Sequence, residues 1–280
     1  MNIYTTLSDL RRHLGLTSAQ TGDNDLLLAL IGAASRLIDG YTGRRFYPLV
    51  ASRVYACADP ARLLLDDDLL SLDTLTNGDG SVIGASAYHL APANESVKSS
   101  VLLDRTQTAF THDGDPADAL AVSGTWGYHP DWANAWAASG DTVQNNPLSS
   151  GATALTVTDA DAALPTGYGT RFAVGQLLRV ENEYLHVLAI NTTTNVLTVA
   201  RGVNGTTAAS HTQGTAISVY QVSEDIRQIC LRVAAWLYKQ RDAGFVQTAG
   251  SLRGQVVVPP ALPEDVQQVL APYARIAVGG

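Results

Sequence analysis

Apolar positions recur at helical spacing near both ends of the chain and at strand spacing through its middle. Leu7, Leu10 and Leu14 share a helical period behind Thr5 and Thr6, either of which can cap, and Gly15 supplies a stop signal. Asp23-Asn24-Asp25 then offers a cap and first-turn acids to a run that sets Leu27, Leu30, Ile31, Ala34, Leu37, Ile38 and Tyr41 on one face. That pattern predicts a helix of about four or five turns. Beyond Gly43 the spacing shortens. Short strands are predicted around 46–48, 52–56, 62–65, 87–90, 101–103 and 120–128, with Asn77-Gly78-Asp79-Gly80 as a strong turn, which together describe an irregular antiparallel sheet.

Residues 141–221 have a different character: rich in Thr, Val, Ala, Gly and Asn, without Lys, and with no sustained helical period. Strands are predicted at 154–157, 177–181, 184–190, 196–199 and 216–220, with turns at Glu181-Asn182-Glu183, at 191–195 and at Val203-Asn204-Gly205. A small sandwich or barrel fits them. Helix returns at Ser223, read as a cap before Glu224 and Asp225, with Ile226, Ile229, Cys230, Val233, Ala234 and Leu237 as its apolar stripe. Pro259-Pro260-Ala261-Leu262-Pro263 leads into a last helix in which Val266, Val269, Leu270 and Tyr273 share a face. The expected architecture is α+β: a helical-bundle core with short antiparallel strands, built from 1–140 and 222–280, around an inserted all-β domain at 141–221.

A length of 280 residues and a hydrophobic content of 46% are enough to fill real cores, whereas charged residues make up only 16%, so the surface is neutral and polar over wide areas. The net charge of -8 argues against a broad basic face for gripping nucleic acid. Cys57 and Cys230 lie far apart and imply neither a disulfide framework nor a metal site. The start of the chain lacks a secretion signal, and no apolar run is long enough to span a membrane.

Candidate chemistry is sparse. Asp66-Asp67-Asp68 and His112-Asp113-Gly114-Asp115 supply carboxylates, but neither has the spacing of a calcium loop, and solvated turns are the simpler reading. The six histidines form no helical metal pair and flank no nucleophile elbow, and His186 reads as a partly buried sheet residue. Glu181 and Glu183 stand two apart, as a glycosidase pair could, yet two acids on one strand usually face solvent. Trp132 and Trp136 offer either a stacking platform for sugars or packing at the junction with the insertion, the second being favoured. Gly202-Val203-Asn204-Gly205 lacks the Lys-Ser/Thr ending of a phosphate loop and reads as a hairpin turn. No catalytic residue, cofactor or metal ligand is assigned, and the expected function is not enzymatic.

The order of motifs carries more than any one of them. Two helices ending in Ile38-Asp39-Gly40-Tyr41-Thr42-Gly43-Arg44-Arg45-Phe46, a strand ending Gly124-Thr125-Trp126-Gly127, an acid-led helix with Trp236-Leu237-Tyr238-Lys239, and Leu262-Pro263-Glu264-Asp265-Val266 resemble the head-to-tail adaptor (head-completion, or connector) proteins of long-tailed bacteriophages. The segments at 171–183 and 200–207 are similar to a small β module found in phage virion proteins. The resemblance implies a structural virion protein of the neck, assembled in the host cytoplasm, whose copies form a ring, usually dodecameric, beneath the portal. Its implied partners are itself, the portal protein and a tail or neck stopper protein, with double-stranded DNA passing through the channel without sequence-specific binding, and no membrane. The alternative is a carbohydrate- or host-surface-binding accessory virion protein.

Within that resemblance, portal docking is expected from the last segment, at Val256, Val257, Val258, Leu262, Val266, Leu270 and Tyr273. The subunit interface is expected at Arg44, Arg45, Leu30, Leu37, Ile229 and Val233. The insertion departs from the family pattern, which runs from the Gly-Thr-Trp-Gly strand to the final helices without it.

Overall fold

The computed structural model describes residues 2–17, 19–165, 169–240 and 262–275. Four helices form among them: α1 (Leu7–His13), α2 (Asn24–Thr42), α3 (Glu224–Gln240) and α4 (Glu264–Leu270). The Thr6 hydroxyl caps α1 by accepting from the Asp9 amide at 3.1 Å. Gly43, left-handed at φ 65°, ends α2 and donates to the Asp39 carbonyl. α3 starts where its acids predict, but the Ser223 hydroxyl finds no hydrogen-bond partner and caps nothing. One core joins the four helices: Leu27, Ile31 and Ile38 of α2 and Ile226, Val233 and Ala234 of α3 are all fully buried. Each such Leu or Ile contributes about 2 kcal/mol relative to an exposed one.

The expectation of a helical-bundle core is overturned, because among the described residues strands outweigh helices and form two antiparallel sheets. Strands β1 (Leu49–Tyr55), β2 (Arg62–Thr76), β3 (Tyr88–Ala91), β4 (Lys98–Leu103) and β5 (Leu120–Trp126) make one antiparallel sheet in the order β1-β5-β2-β4-β3. Strands β6 (Trp136–Thr142), β7 (Ala154–Thr156), β8 (Leu177–Val180), β9 (Glu183–Asn191), β10 (Val196–Ala200) and β11 (Ala216–Tyr220) make a second, in the order β6-β11-β8-β9-β10-β7. Two of the four helices are single seven-residue pieces, so the helical layer is a cap on the sheets. The physical reason is the length of β2. Its extended chain continues for 15 residues through Asp66-Asp67-Asp68, where solubility alone suggested a turn; the pairing with β4 slips there, between Leu64 and Leu69, and arginines meet the acids in place.

The second sheet curls until its edges meet: the Gln144 amide donates to the Thr156 carbonyl at 2.9 Å, and the Thr156 amide donates to the Asn145 side chain at 2.8 Å. Inside lie Leu155, Leu178, Val180, Leu185, Leu197, Ile217 and Val219, all at 1% exposure or less. This barrel-like unit hangs from the first sheet at adjacent points, since Trp136 and Tyr220, where the chain enters and leaves it, are paired across β6 and β11.

Several contacts hold the units together, among them the Tyr220 hydroxyl donating to the Phe46 carbonyl at 3.1 Å and the paired Asn2 and Asn204 side chains at 3.0 Å. Trp132, Trp136, Tyr184 and Tyr220 pack with Tyr47, Val50 and Val203, and the turn at 203–205 lies against the edge of β1, with the Val50 amide donating to the Asn204 carbonyl at 2.9 Å. Gly205 has φ +79°, and a Cβ placed on it would stand 1.9 Å from the Val50 carbonyl oxygen. Replacing Gly205 with Ala is therefore expected to cost at least about 2 kcal/mol in urea unfolding, while Ala at Gly22, which has open space around it, is neutral. Equal midpoints for the two variants would remove this contact as a constraint.

Candidate assembly interface

α2 ends at Gly43, and the next residues run straight into a polar junction. The Arg44 guanidinium lies 2.6 Å from Asp68 of β2, donates through Nε to the Tyr273 carbonyl at 2.7 Å, and stacks 4.6 Å over the Tyr128 ring. Arg45 reaches Asp67 at 3.4 Å. Arg53 of β1 bridges Asp67 at 2.5 Å and Asp66 at 3.3 Å while lying 4.3 Å over Trp126. From the far end of the chain, Arg275 approaches Asp67 at 3.3 Å, and its backbone amide donates to the Thr42 carbonyl at 2.7 Å. Four arginines thus surround three consecutive acids, of which Asp67 and Asp68 are buried. Burial pushes the Asp68 carboxyl up, against the pull of Arg44, and its second oxygen has no partner.

Phe46 follows in the same junction, edge-on to Tyr4, Tyr128 and Tyr273 at 5.8, 5.6 and 6.0 Å. The Tyr128 amide donates to the Arg45 carbonyl and the Gly127 amide to the Asp68 carbonyl, both at 2.8 Å. Gly127 is held at φ +137°, where a Cβ would stand 2.4 Å from the Tyr47 carbonyl oxygen. The sequence segments 38–46, 124–127 and 262–275 therefore meet at one place, although the barrel separates them along the chain.

The expected interface residues divide accordingly. Arg44 and Arg45 serve acids of their own chain, so neither is free for a neighbour's acid. Ile229 and Val233 are buried in the helical core at 3% and 0% exposure, as are Leu262, Val266 and Leu270, and Tyr273 packs against that core and gives its hydroxyl to Asp225. Those faces are covered within the chain because α2 and α3 pack on each other and the last segment folds back onto them. Leu30 and Leu37 are half-buried. Val256, Val257 and Val258 lie outside the described residues.

One further reading is corrected. Glu181 and Glu183 do not share a solvent face: Glu181 sits in a left-handed turn at φ 53°, and Glu183 is 1% exposed. Burial opposes the Glu183 carboxylate, but Arg201, the Ala209 amide, His211 and the Gly202 amide bind it and hold it at about 2. His211 touches Glu181 and Glu183 at 2.7 Å each, completing a buried network that sequence spacing does not reveal. Trp136 lies 5.1 Å from Tyr184 and 5.2 Å from Tyr220, with Arg179 over its ring at 4.7 Å, so it packs the junction. Among the described residues, no group of three or more His, Cys, Asp or Glu side chains converges to hold a metal, and no helix is long and apolar enough to cross a membrane.

No protein-family model matches the chain, and no curated protein matches it. Among solved structures, a chain from one described as the neck of an empty GTA particle computed with C6 symmetry is similar over 99% of this chain and 92% of its own, at 12% identity and a TM-score of 0.42.

Two predictions follow from the polar contacts. Replacing Arg44 with Met leaves Asp68 buried without its cation and is expected to cost about 3–5 kcal/mol in denaturant unfolding, most of it recovered when Asp68 is changed to Leu as well. Additive losses in the double variant would exclude direct pairing. His186 is 4% exposed with an unpartnered Nδ1, and burial pushes its pKa down to about 4. The unfolded chain takes up a proton there below about 6.5, so this stability is present above that pH and lost as pH falls towards 4, up to about 3 kcal/mol. Asp39 has the opposite sign: burial raises its carboxyl to about 6, so its contribution is present at low pH and lost as pH rises through 6. Comparison with His186→Gln at pH 7 and pH 4 isolates the first effect: the wild type is expected to lose more on acidification than the variant, and equal losses would discount His186.

Proposed function

We propose that this chain is a non-enzymatic structural subunit of a phage-like virion neck, joining copies of itself in a ring beneath the portal and carrying the DNA channel towards the tail. The observation that supports this reading is the convergence at one junction of motifs scattered along the sequence. The Gly43-Arg44-Arg45-Phe46 exit of α2, the Gly124-Thr125-Trp126-Gly127 strand and the segment after α4 are the residues whose order resembles the adaptor family, and they pack as one unit. The inserted barrel attaches to that unit without interrupting it. The reading rests on these residues and takes no weight from the structural likeness.

The net charge of -8 suits a channel through which DNA slides without being trapped, because like charge repels the phosphates and salt screens that repulsion mainly beyond about a Debye length. A dodecamer, attachment to the portal and a tail or stopper protein on the other side belong to the same proposal. A carbohydrate-binding reading loses its motivating feature, since Trp136 is engaged by Tyr184, Tyr220 and Arg179.

Negative-stain imaging of the full chain with the portal protein of the same particle tests the proposal. Rings stacked coaxially on the portal are the expected result. A chain that stays monomeric and unbound beside assembled portal would refute it.

A further inference from the structure

Glu183 of β9 is 1% exposed, and among the described residues five nitrogens converge on its two carboxylate oxygens. Oε1 accepts from Arg201 Nε at 2.6 Å and from the Gly202 amide at 3.0 Å. Oε2 accepts from Arg201 Nη2 at 2.7 Å and from the Ala209 amide at 3.0 Å, and it lies 2.7 Å from His211 Nε2. Arg201 and Gly202 open the loop that follows β10, whereas Ala209 and His211 close it. One carboxylate therefore fastens both ends of a single loop. Arg201 Nη2 also donates across the same neck to the Ala209 carbonyl at 2.6 Å. Tyr184, next in β9, extends the grip: its carbonyl accepts from the Val203 amide at 3.0 Å and its amide donates to Thr206 Oγ1 at 2.9 Å.

Between the two fastened ends lies the turn that meets the host unit. The Val50 amide of β1 donates to the Asn204 carbonyl at 2.9 Å, and Asn2 and Asn204 exchange side-chain hydrogen bonds at 3.0 Å. These contacts are neutral, and their tolerance is narrow, because Gly205 approaches the Val50 carbonyl too closely for any Cβ to fit. A flexible loop meets such a tolerance only when its ends are fixed. Partial opening is disfavoured, since a buried carboxylate that loses donors keeps the cost of its desolvation. The loop is thus either closed round Glu183 or released from it.

We propose that Glu183 is a latch that seats the barrel on the host sheet. Closed round this carboxylate, the 201–211 loop presents the 203–205 turn to β1. Released from it, the loop gives up the turn, and the barrel stays joined through its aromatic seam and its two strand ends. A charge buried inside one unit thereby controls the contact between the two.

Hydrogen exchange of the full chain, read residue by residue, tests this. In Glu183→Gln the loop amides and the Val50 amide are expected to exchange about tenfold faster or more, while Leu197 and Val199 in the barrel core stay at the wild-type rate. Faster loop exchange with Val50 unchanged, or no change in either, would overturn the latch. Should Glu183→Gln also speed Leu197, His211→Gln keeps the Arg201 pair and is expected to give the same pattern at a smaller factor. Coupling between two sites is reciprocal. Gly205→Ala, which leaves every donor to Glu183 in place, is therefore expected to speed exchange at the Gly202 and Ala209 amides relative to Leu197. Wild-type exchange at those two amides would show that turn and latch are independent and refute the proposal.

Discussion

The arrangement of the molecule depends on one buried set of ion pairs, the arginines of three separate segments closed around Asp67 and Asp68. Taking each ion out of water costs several kcal/mol, so such a set adds little net stability. Its effect is on geometry. Arg44 can satisfy Asp68 and the Tyr273 carbonyl together only if the exit of α2, the middle of β2 and the segment after α4 stand at one place. Any other placement leaves a carboxylate buried without a cation, which is the costly outcome. The helical layer is thereby held in a single position on the five-stranded sheet, and Phe46 and its three tyrosines fill the space beside the ions.

The barrel is joined by different means. Its ionic contacts are internal, with Glu183 bound to Arg201 and Asp141 to Arg171, and its attachment is aromatic packing plus close backbone approach at Gly205 and Val50. Since Trp136 and Tyr220 are paired neighbours, the chain leaves the host unit and returns to it within one strand spacing, about 5 Å. An added unit with its own core, its own charge pairs and adjacent ends can sit between β5 and α3 without altering how those two pack. This is why the motifs on either side still meet.

Much of this was legible in the chain. The two long helices, the glycine that ends α2, the strand alternation of 177–220 and the turn at Asn204-Gly205 follow from spacing and from residues that tolerate positive φ. The balance between helix and sheet was not. Asp66-Asp67-Asp68 read as a solvated turn because no local pattern shows that Arg44, Arg53 and Arg275 will be brought to it from distances of up to 208 residues. Glu183 was misjudged for the same reason, its partners Arg201 and His211 being 18 and 28 positions away. The last segment looked free to dock elsewhere, since its apolar period shows that it will be buried but not against what. In each case the missing information was tertiary pairing, which periodicity does not encode.

The same pairing accounts for the electrostatic character of the surface. Arg36, Arg44, Arg45, Arg53, Arg171, Arg201, Arg227 and Arg275 each bind an acid of their own chain, whereas Asp59, Asp73, Asp79, Asp113, Asp115 and Asp118 stand exposed. With 18 basic and 26 acidic side chains, these arginines and the acids they meet offset each other, and the excess of acid is carried by the exposed carboxylates. Such a surface gains no counterion-release energy from phosphate and repels it.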